Sequence, residues 1–183
     1  MALLSVVLPA YNEELNIANT VKTLTELFDR EKMEFELVFI SDGSKDGTFR
    51  EIRKAAEADP GRIRGAEFSR NFGKEAGIFA GLELTRGDAV VVMDCDLQHP
   101  PEVIPQMWKL WQNGAQVVEG KKSSRGKEGL FYKLSAGLFY KIMSGLIKMD
   151  MSSSSDFKLL DRKVVDVLLS LPERNTFFRA MTF

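Results

Sequence analysis

Asp94 and Asp96 follow directly on an apolar run, Ala89-Val90-Val91-Val92-Met93. Bounded by Gly87-Asp88 and by Pro100-Pro101, that run reads as a parallel-sheet strand covered on both faces. Open α/β sheets bind their ligands beyond the carboxyl ends of the strands, where these carboxylates emerge. Such a pair can divide two tasks: holding a hard divalent cation, and accepting from a ribose or sugar hydroxyl. Mg2+ and Mn2+ suit oxygen ligands and commonly keep substrate phosphates in their coordination sphere. The same Asp-x-Asp spacing also serves a plain turn ahead of the Pro-Pro helix start.

Two more strand ends carry polar groups. An apolar run at residues 4–8 ends in Pro9-Ala10-Tyr11-Asn12-Glu13-Glu14, and one at 35–40 ends in Ser41-Asp42-Gly43-Ser44-Lys45-Asp46-Gly47. A proline and an aromatic ring can wall a base, and a carboxylate beside them can accept from an imide N–H or a ribose hydroxyl. Alternatively, Asn12 caps a helix and Asp42-Gly43-Ser44 is a turn. Three such ends on one sheet edge favour a ligand site. No Gly-x-Gly-x-x-Gly follows the first strand, which disfavours a Rossmann dinucleotide site, and no Walker-type loop is present.

The elements that must position these groups alternate. Strands are expected at 4–8, 35–40, 63–68, 89–93 and 117–118, with helices at 17–30, 48–58, 75–84 and 101–111. Strand-helix alternation of this kind means βαβ units and a mostly parallel sheet. The chain of 183 residues suggests one domain without internal repeats or linkers. A net charge of −1 argues against a general nucleic-acid binder, and the single cysteine excludes an internal disulfide and fits a reducing compartment. Met1-Ala2-Leu3-Leu4 has no basic n-region, and no uncharged apolar stretch is long enough to span a bilayer. The polypeptide as given is therefore expected to be soluble and cytoplasmic.

Four ordered motifs together resemble glycosyltransferase family 2: Pro9-Ala10-Tyr11-Asn12-Glu13, Ser41-Asp42-Gly43-Ser44, Arg70-Asn71-Phe72-Gly73-Lys74-Glu75 and Asp94-Cys95-Asp96-Leu97-Gln98-His99-Pro100-Pro101-Glu102. Within it, Asp156-Phe157-Lys158-Leu159-Leu160-Asp161-Arg162 and Leu171-Pro172-Glu173-Arg174-Asn175 are similar to segments of the polyprenyl-phosphate branch, which includes dolichol-phosphate mannose synthases and bactoprenol glucosyltransferases. The resemblance implies a GT-A fold, a Rossmann-like mostly parallel sheet with flanking helices. It also implies a nucleotide-sugar donor, Mg2+ or Mn2+, and inversion at the anomeric carbon. Carried across, Pro9, Tyr11, Glu13, Asp42, Lys74 and Asp94 fall on nucleotide-sugar-binding positions. Asp94 and Asp96 are the acidic pair at the donor diphosphate, Gln98 stands where some relatives add a metal ligand, and Asp96 and Asp156 are the catalytic candidates.

Three departures from that pattern stand out. Ser41 replaces an aspartate, Ser155 replaces a glycine whose backbone freedom could matter, and Lys158 replaces an arginine, losing bidentate phosphate geometry. Lys122, Arg125 and Lys133 in a basic stretch could hold an acceptor phosphate, or be a solvated surface. A helix at 130–149 combines an apolar stripe with lysines, which suits either a membrane surface or the sheet. His99 reads as a turn residue and Cys95 as a space filler. The expected protein is a single GT-A catalytic domain over 1–183, cut before membrane-associated C-terminal segments, at the cytoplasmic face of the membrane. The competing reading is a non-catalytic nucleotide-binding module serving a membrane partner.

Overall fold

Alternation along each apolar run decides which face of the sheet its side chains fill. The computed structural model describes residues 2–120, 155–171 and 178–182. Strand β1 (Leu3–Ala10) is followed by α1 (Glu14–Arg30), β2 (Glu34–Ser41), α2 (Thr48–Ala58), β3 (Ile63–Glu67), α3 (Lys74–Leu84) and β4 (Ala89–Val92). A 3-10 turn (Pro101–Val103) then leads to α4 (Ile104–Gln112) and β5 (Val117–Glu119). Strand β6 (Lys158–Asp161), α5 (Arg162–Ser170) and the short α6 (Phe178–Met181) complete the described elements. The sheet order is β3-β2-β1-β4-β6-β5. Parallel pairing joins β3, β2, β1 and β4, whereas β6 runs antiparallel to both β4 and β5.

Leu4, Val6 and Leu8 of β1, with Ala89 and Val91 of β4, pack on one face against Ile17, Leu24 and Phe28 of α1, Ile52 of α2, and Met107 and Trp108 of α4. Val7, Val90 and Val92 point the other way, onto Ile78 and Leu82 of α3, Val165 and Leu168 of α5, and Phe178 of α6. Both faces of the central strands are therefore covered, as their unbroken apolar runs require. No described helix is long and apolar enough to cross a membrane.

Most expected elements are present, with three differences. Helix α1 begins at Glu14 rather than near 17, because its first N–H groups find partners across the sheet edge. Glu13 N–H donates to Thr48 Oγ1 (2.7 Å) and Glu14 N–H to Asp46 Oδ2 (3.2 Å), while Gly47 N–H donates back to Glu14 Oε2 (2.6 Å). The helix expected at 101–111 is split, since Pro105 has no N–H to bond back to the Pro101 carbonyl. Strand β6, helix α5 and the short α6 are additional to the expected elements. Lys158, at the start of β6, is 1% exposed, donates from Nζ to the Thr182 carbonyl (3.2 Å) and lies 4.0 Å from Glu119 Oε1. A buried lysine hides the strand's apolar pattern.

Glu36 of β2 ties the opposite end of the sheet together. Its buried carboxylate accepts from Ser5 Oγ (2.6 Å), Arg64 Nη2 (2.9 Å), and the N–H (2.7 Å) and Nε (2.9 Å) of Arg86. Burial alone would raise its pKa, but Ser5, Arg86 and Arg64 outweigh it and hold the group below its ordinary 4.5. A depressed pKa gives stability that is present above the ordinary value and lost as pH falls through the depressed one. Glu36→Ala should cost about 3 kcal/mol by urea unfolding, the scale of breaking a buried pair. Glu36→Gln should lose less additional stability than wild type on acidification.

Candidate functional site

Strand β1 lies between β2 and β4, so their carboxyl ends sit side by side. They border a cleft of about 360 Å³ lined by Pro9 near the end of β1, Tyr11 and Glu13 beyond it, Asp42 after β2, and Asp94 and Asp96 after β4. Asn71, Gly73 and Lys74 close it from the entry to α3.

The loops around the cleft are locked by side chains gripping backbone. Asn12 does not cap α1; it adopts φ 57°, accepts from Lys45 N–H at Oδ1 (2.8 Å) and donates its own N–H to Ser44 Oγ (3.1 Å). Ser41, in place of an aspartate, donates to or accepts from Ser44 Oγ at 3.1 Å, inside the same loop cluster. Asp42 accepts from the N–H groups of Phe72 (2.7 Å) and Gly73 (2.9 Å), which fixes the turn into α3. Gly43 has φ 62°, and a Cβ there would overlap the Arg70 carbonyl carbon, so only glycine fits this close approach.

From the cleft lining, Lys74 Nζ reaches Asp94 Oδ1 (2.7 Å) and, beyond the lining, the buried Asp156 at Oδ2 (2.9 Å). Sheet register explains the meeting. Val92 of β4 pairs with Lys158 of antiparallel β6, so two residues beyond β4 and two before β6 bring Asp94 and Asp156 together. Arg179 of α6 then clamps Asp156 with two bonds, Nε to Oδ1 (2.6 Å) and Nη2 to Oδ2 (2.9 Å). Burial would raise the Asp156 pKa, but Arg179 and Lys74 prevail and hold it at about 2. Burial likewise would lower that of Lys74, but Asp94 and Asp156 raise it, so the ammonium stays charged.

Arg179 is a site residue that sequence reasoning does not find. Its contact spans 23 residues, and the segment between lacks a periodicity that would place it. Helix α6 is held by fully buried Phe178, whose N–H donates to Glu75 Oε2 (2.9 Å). Glu75 has its pKa raised by burial, with the Asp156 charge adding to it.

The departures at 155 and 158 have structural accounts. Ser155 is not among the residues with positive φ; its N–H donates to Glu119 Oε1 (2.7 Å) and its Oγ accepts from Phe157 N–H (3.1 Å). No glycine is needed there. Lys158 is buried, with its Nζ donating to the Thr182 carbonyl (3.2 Å) and lying 4.0 Å from Glu119 Oε1. The His99 ring stacks on Phe157 (5.1 Å), with Nε2 3.2 Å from Ser155 Oγ. Cys95 is buried, and burial, then the nearby carboxylates, push its thiol up to about 12, so it is no nucleophile. Lys122, Arg125, Lys133 and the helix at 130–149 lie outside the described residues.

The acidic pair fits a hard divalent cation. Among the described residues no cation pairs with Asp96, whose Oδ1 accepts only the Gln98 N–H (3.0 Å), and Asp94 shares its charge with Lys74 alone. No group of three His, Cys, Asp or Glu side chains among the described residues forms a metal cage. Two carboxylates with room for ligand oxygens suit Mg2+ or Mn2+, which seldom use all-protein cages. Gln98 is exposed and is not part of the cleft lining.

The Glycosyl transferase family 2 profile matches residues 5–169. The chain belongs to this family. It is 42% identical over 178 residues to YkcC of Bacillus subtilis (strain 168), an uncharacterized glycosyltransferase, covering 97% of this chain and 55% of that protein. It is also 42% identical over 179 residues to the bactoprenol glucosyl transferase of Shigella phage SfX, covering 97% and 58%. The chain thus spans little more than half the length of these family 2 relatives. Among solved structures, glucosyl-3-phosphoglycerate synthase from Mycobacterium tuberculosis with Mn2+, UDP-glucose and phosphoglyceric acid superposes with a TM-score of 0.63 at 24% identity, over 89% of this chain and 58% of that one. The fold is therefore the GT-A fold that the sequence motifs implied.

Because Arg179 supplies the bidentate clamp, Arg179→Gln should raise the Asp156 pKa from about 2 toward the ordinary carboxylate range. Carboxyl-carbon NMR titration of both forms measures it. An unmoved titration would mean that Lys74 alone sets the charge.

Proposed function

We propose that this chain is the catalytic domain of an inverting glycosyltransferase that moves a hexose from a nucleotide-diphosphate sugar, of UDP-glucose or GDP-mannose type, to a polyprenyl phosphate, with Mg2+ or Mn2+ at the donor diphosphate. The observation that carries this reading is the cleft itself, which puts Pro9 and Tyr11 beside Asp94, Asp96 and Lys74. Support for the acceptor comes from the relative named bactoprenol glucosyl transferase, and for the donor and metal from the UDP-glucose and Mn2+ in the M. tuberculosis enzyme. The intact acidic pair favours an enzyme over a binding module that merely serves a membrane partner. The domain would work at the cytoplasmic face of the membrane, with Lys122, Arg125 and Lys133 on the acceptor phosphate.

Pro9 and Tyr11 form the wall for the base. Asp42 already accepts two N–H groups, but a carboxylate has lone pairs left for a ribose hydroxyl or an imide N–H. Asp96 and Asp94 would hold the cation, which would supply positive charge to the departing diphosphate. Asp156, immobilised by Arg179 and Lys74, accepts from a sugar hydroxyl and orients the ring. An acceptor phosphate oxygen then attacks the anomeric carbon from the face opposite the diphosphate. The bond from that carbon to the diphosphate oxygen breaks, and its electron pair leaves with the diphosphate. Asp156 does not serve as a base, since its pKa is about 2. None is needed, because a phosphomonoester is largely dianionic above its second pKa of about 6.

The direct experiment is transfer of labelled glucose or mannose from UDP-glucose and GDP-mannose to a polyprenyl phosphate, with Mn2+ and with chelator. Asp96→Asn should lose at least about tenfold in metal-dependent nucleotide affinity, with circular dichroism unchanged. Equal binding in chelator and no effect of that substitution would overturn the reading. A pH profile gives a second check. Transfer should fall below about pH 6 as the acceptor gains its second proton. No further acid limb from Asp156 should appear until pH approaches about 2, because a depressed pKa keeps the carboxylate ionised above it.

A further inference from the structure

We infer that Lys74 is a positioning residue that makes the acidic pair select a metal–nucleotide complex over a free metal ion. This rests on the metal-dependent donor site proposed above. Lys74 is the first residue of α3, where the helix dipole disfavours a cation. Helix stability therefore gives no reason for a lysine there. Its backbone is also fixed, since Asp42 grips the N–H groups of the two preceding residues. The ammonium is thereby delivered from α3 to Asp94 Oδ1 (2.7 Å) and Asp156 Oδ2 (2.9 Å).

The two carboxylates do not depend on it equally. Asp156 has a full bidentate partner in Arg179, whereas Asp94 has Lys74 as its cation among the described residues. The specific work of Lys74 is thus on Asp94. It orients that carboxylate and occupies one of its oxygens with positive charge. A divalent cation arriving alone must approach this ammonium and share Asp94 with it, which costs Coulomb energy at a few ångströms. A cation arriving with a diphosphate brings compensating negative charge, and the ammonium can turn from Asp94 to a phosphate oxygen. Repulsion becomes attraction only when nucleotide is present.

The experiment is calorimetric titration of wild type, Lys74→Met, Lys74→Gln and Lys74→Arg with Mn2+ alone, and with UDP and GDP separately in the presence of Mn2+. Without nucleotide, wild type and Lys74→Arg should bind Mn2+ weakly, and Lys74→Met should bind it about tenfold more tightly, the scale of one charge removed near a divalent ion in a solvent-like dielectric. With nucleotide the order should reverse, Lys74→Met binding the diphosphate more weakly than wild type. Lys74→Gln keeps a hydrogen-bond donor without the charge and carries the comparison if the Met variant fails to fold by circular dichroism. If wild type takes up Mn2+ with a nucleotide but neither neutral variant gains affinity for Mn2+ alone, this inference is wrong and the donor-site reading stands. It is equally wrong if Lys74→Arg gains as much as the neutral variants. No uptake of Mn2+ with either nucleotide by wild type sinks both.

Discussion

Two cations and two anions neutralise one another beside the cleft, each from a different part of the fold. Lys74 comes from the start of α3, Asp94 from the end of β4, Asp156 from the approach to β6, and Arg179 from α6. Any one of them alone would be a costly charge in a partly buried place. Together they are close to neutral, whereas Asp96, like Glu13 and Asp42 in the cleft lining, has no cation partner among the described residues. These acidic groups give the cleft the negative charge that the proposed metal-bearing donor would meet.

The antiparallel β6 is what lets the sheet assemble this cluster. A parallel strand beside β4 would have put the residues preceding it at the far end of the sheet, next to the amino end of β4. The antiparallel register instead sets the approach to β6 against the exit from β4. The reversal is secured at both ends. Lys158 and Glu119 join β6, β5 and the C-terminal Thr182, while Arg162 donates to the Gly87 carbonyl (2.8 Å) and Thr85 Oγ1 (3.1 Å) below β4. Trp111 Nε1 adds a bond from α4 to Asp161 (2.7 Å).

How much of this could be read from the sequence follows from the range of each interaction. The runs at 4–8, 35–40 and 89–93 were legible because burial on both faces leaves a continuous apolar signature. Asp42, Asp94 and Asp96 followed from those strands, since chain direction alone puts them on one edge. The double duty of Asp42, a candidate ligand group that also caps the turn into α3, was not legible, because its partners lie 30 and 31 residues away. Strand β6 escaped because Lys158 breaks the apolar pattern, although its charge is matched within the fold. Arg179 escaped for a related reason: a cation whose partner is set by tertiary packing carries no local signal.

The same distinction explains why the exchanges at 155 and 158 are compatible with the site. Ser155 needs no left-handed backbone, and its N–H and Oγ both engage bonds that hold the turn into Asp156. An arginine at 158 would have to fit a fork of donors where one ammonium now meets the Thr182 carbonyl and Glu119. Lysine needs fewer acceptors in a buried place, so fewer donors are left to satisfy. Both residues act on Asp156 through the backbone on either side of it. The carboxylate is thus fixed twice: by the chain that carries it, and by Arg179 and Lys74, which keep it ionised. A group held in that way is unsuited to shuttle a proton, and the proposed displacement by an already ionised phosphate would ask it only to orient the sugar.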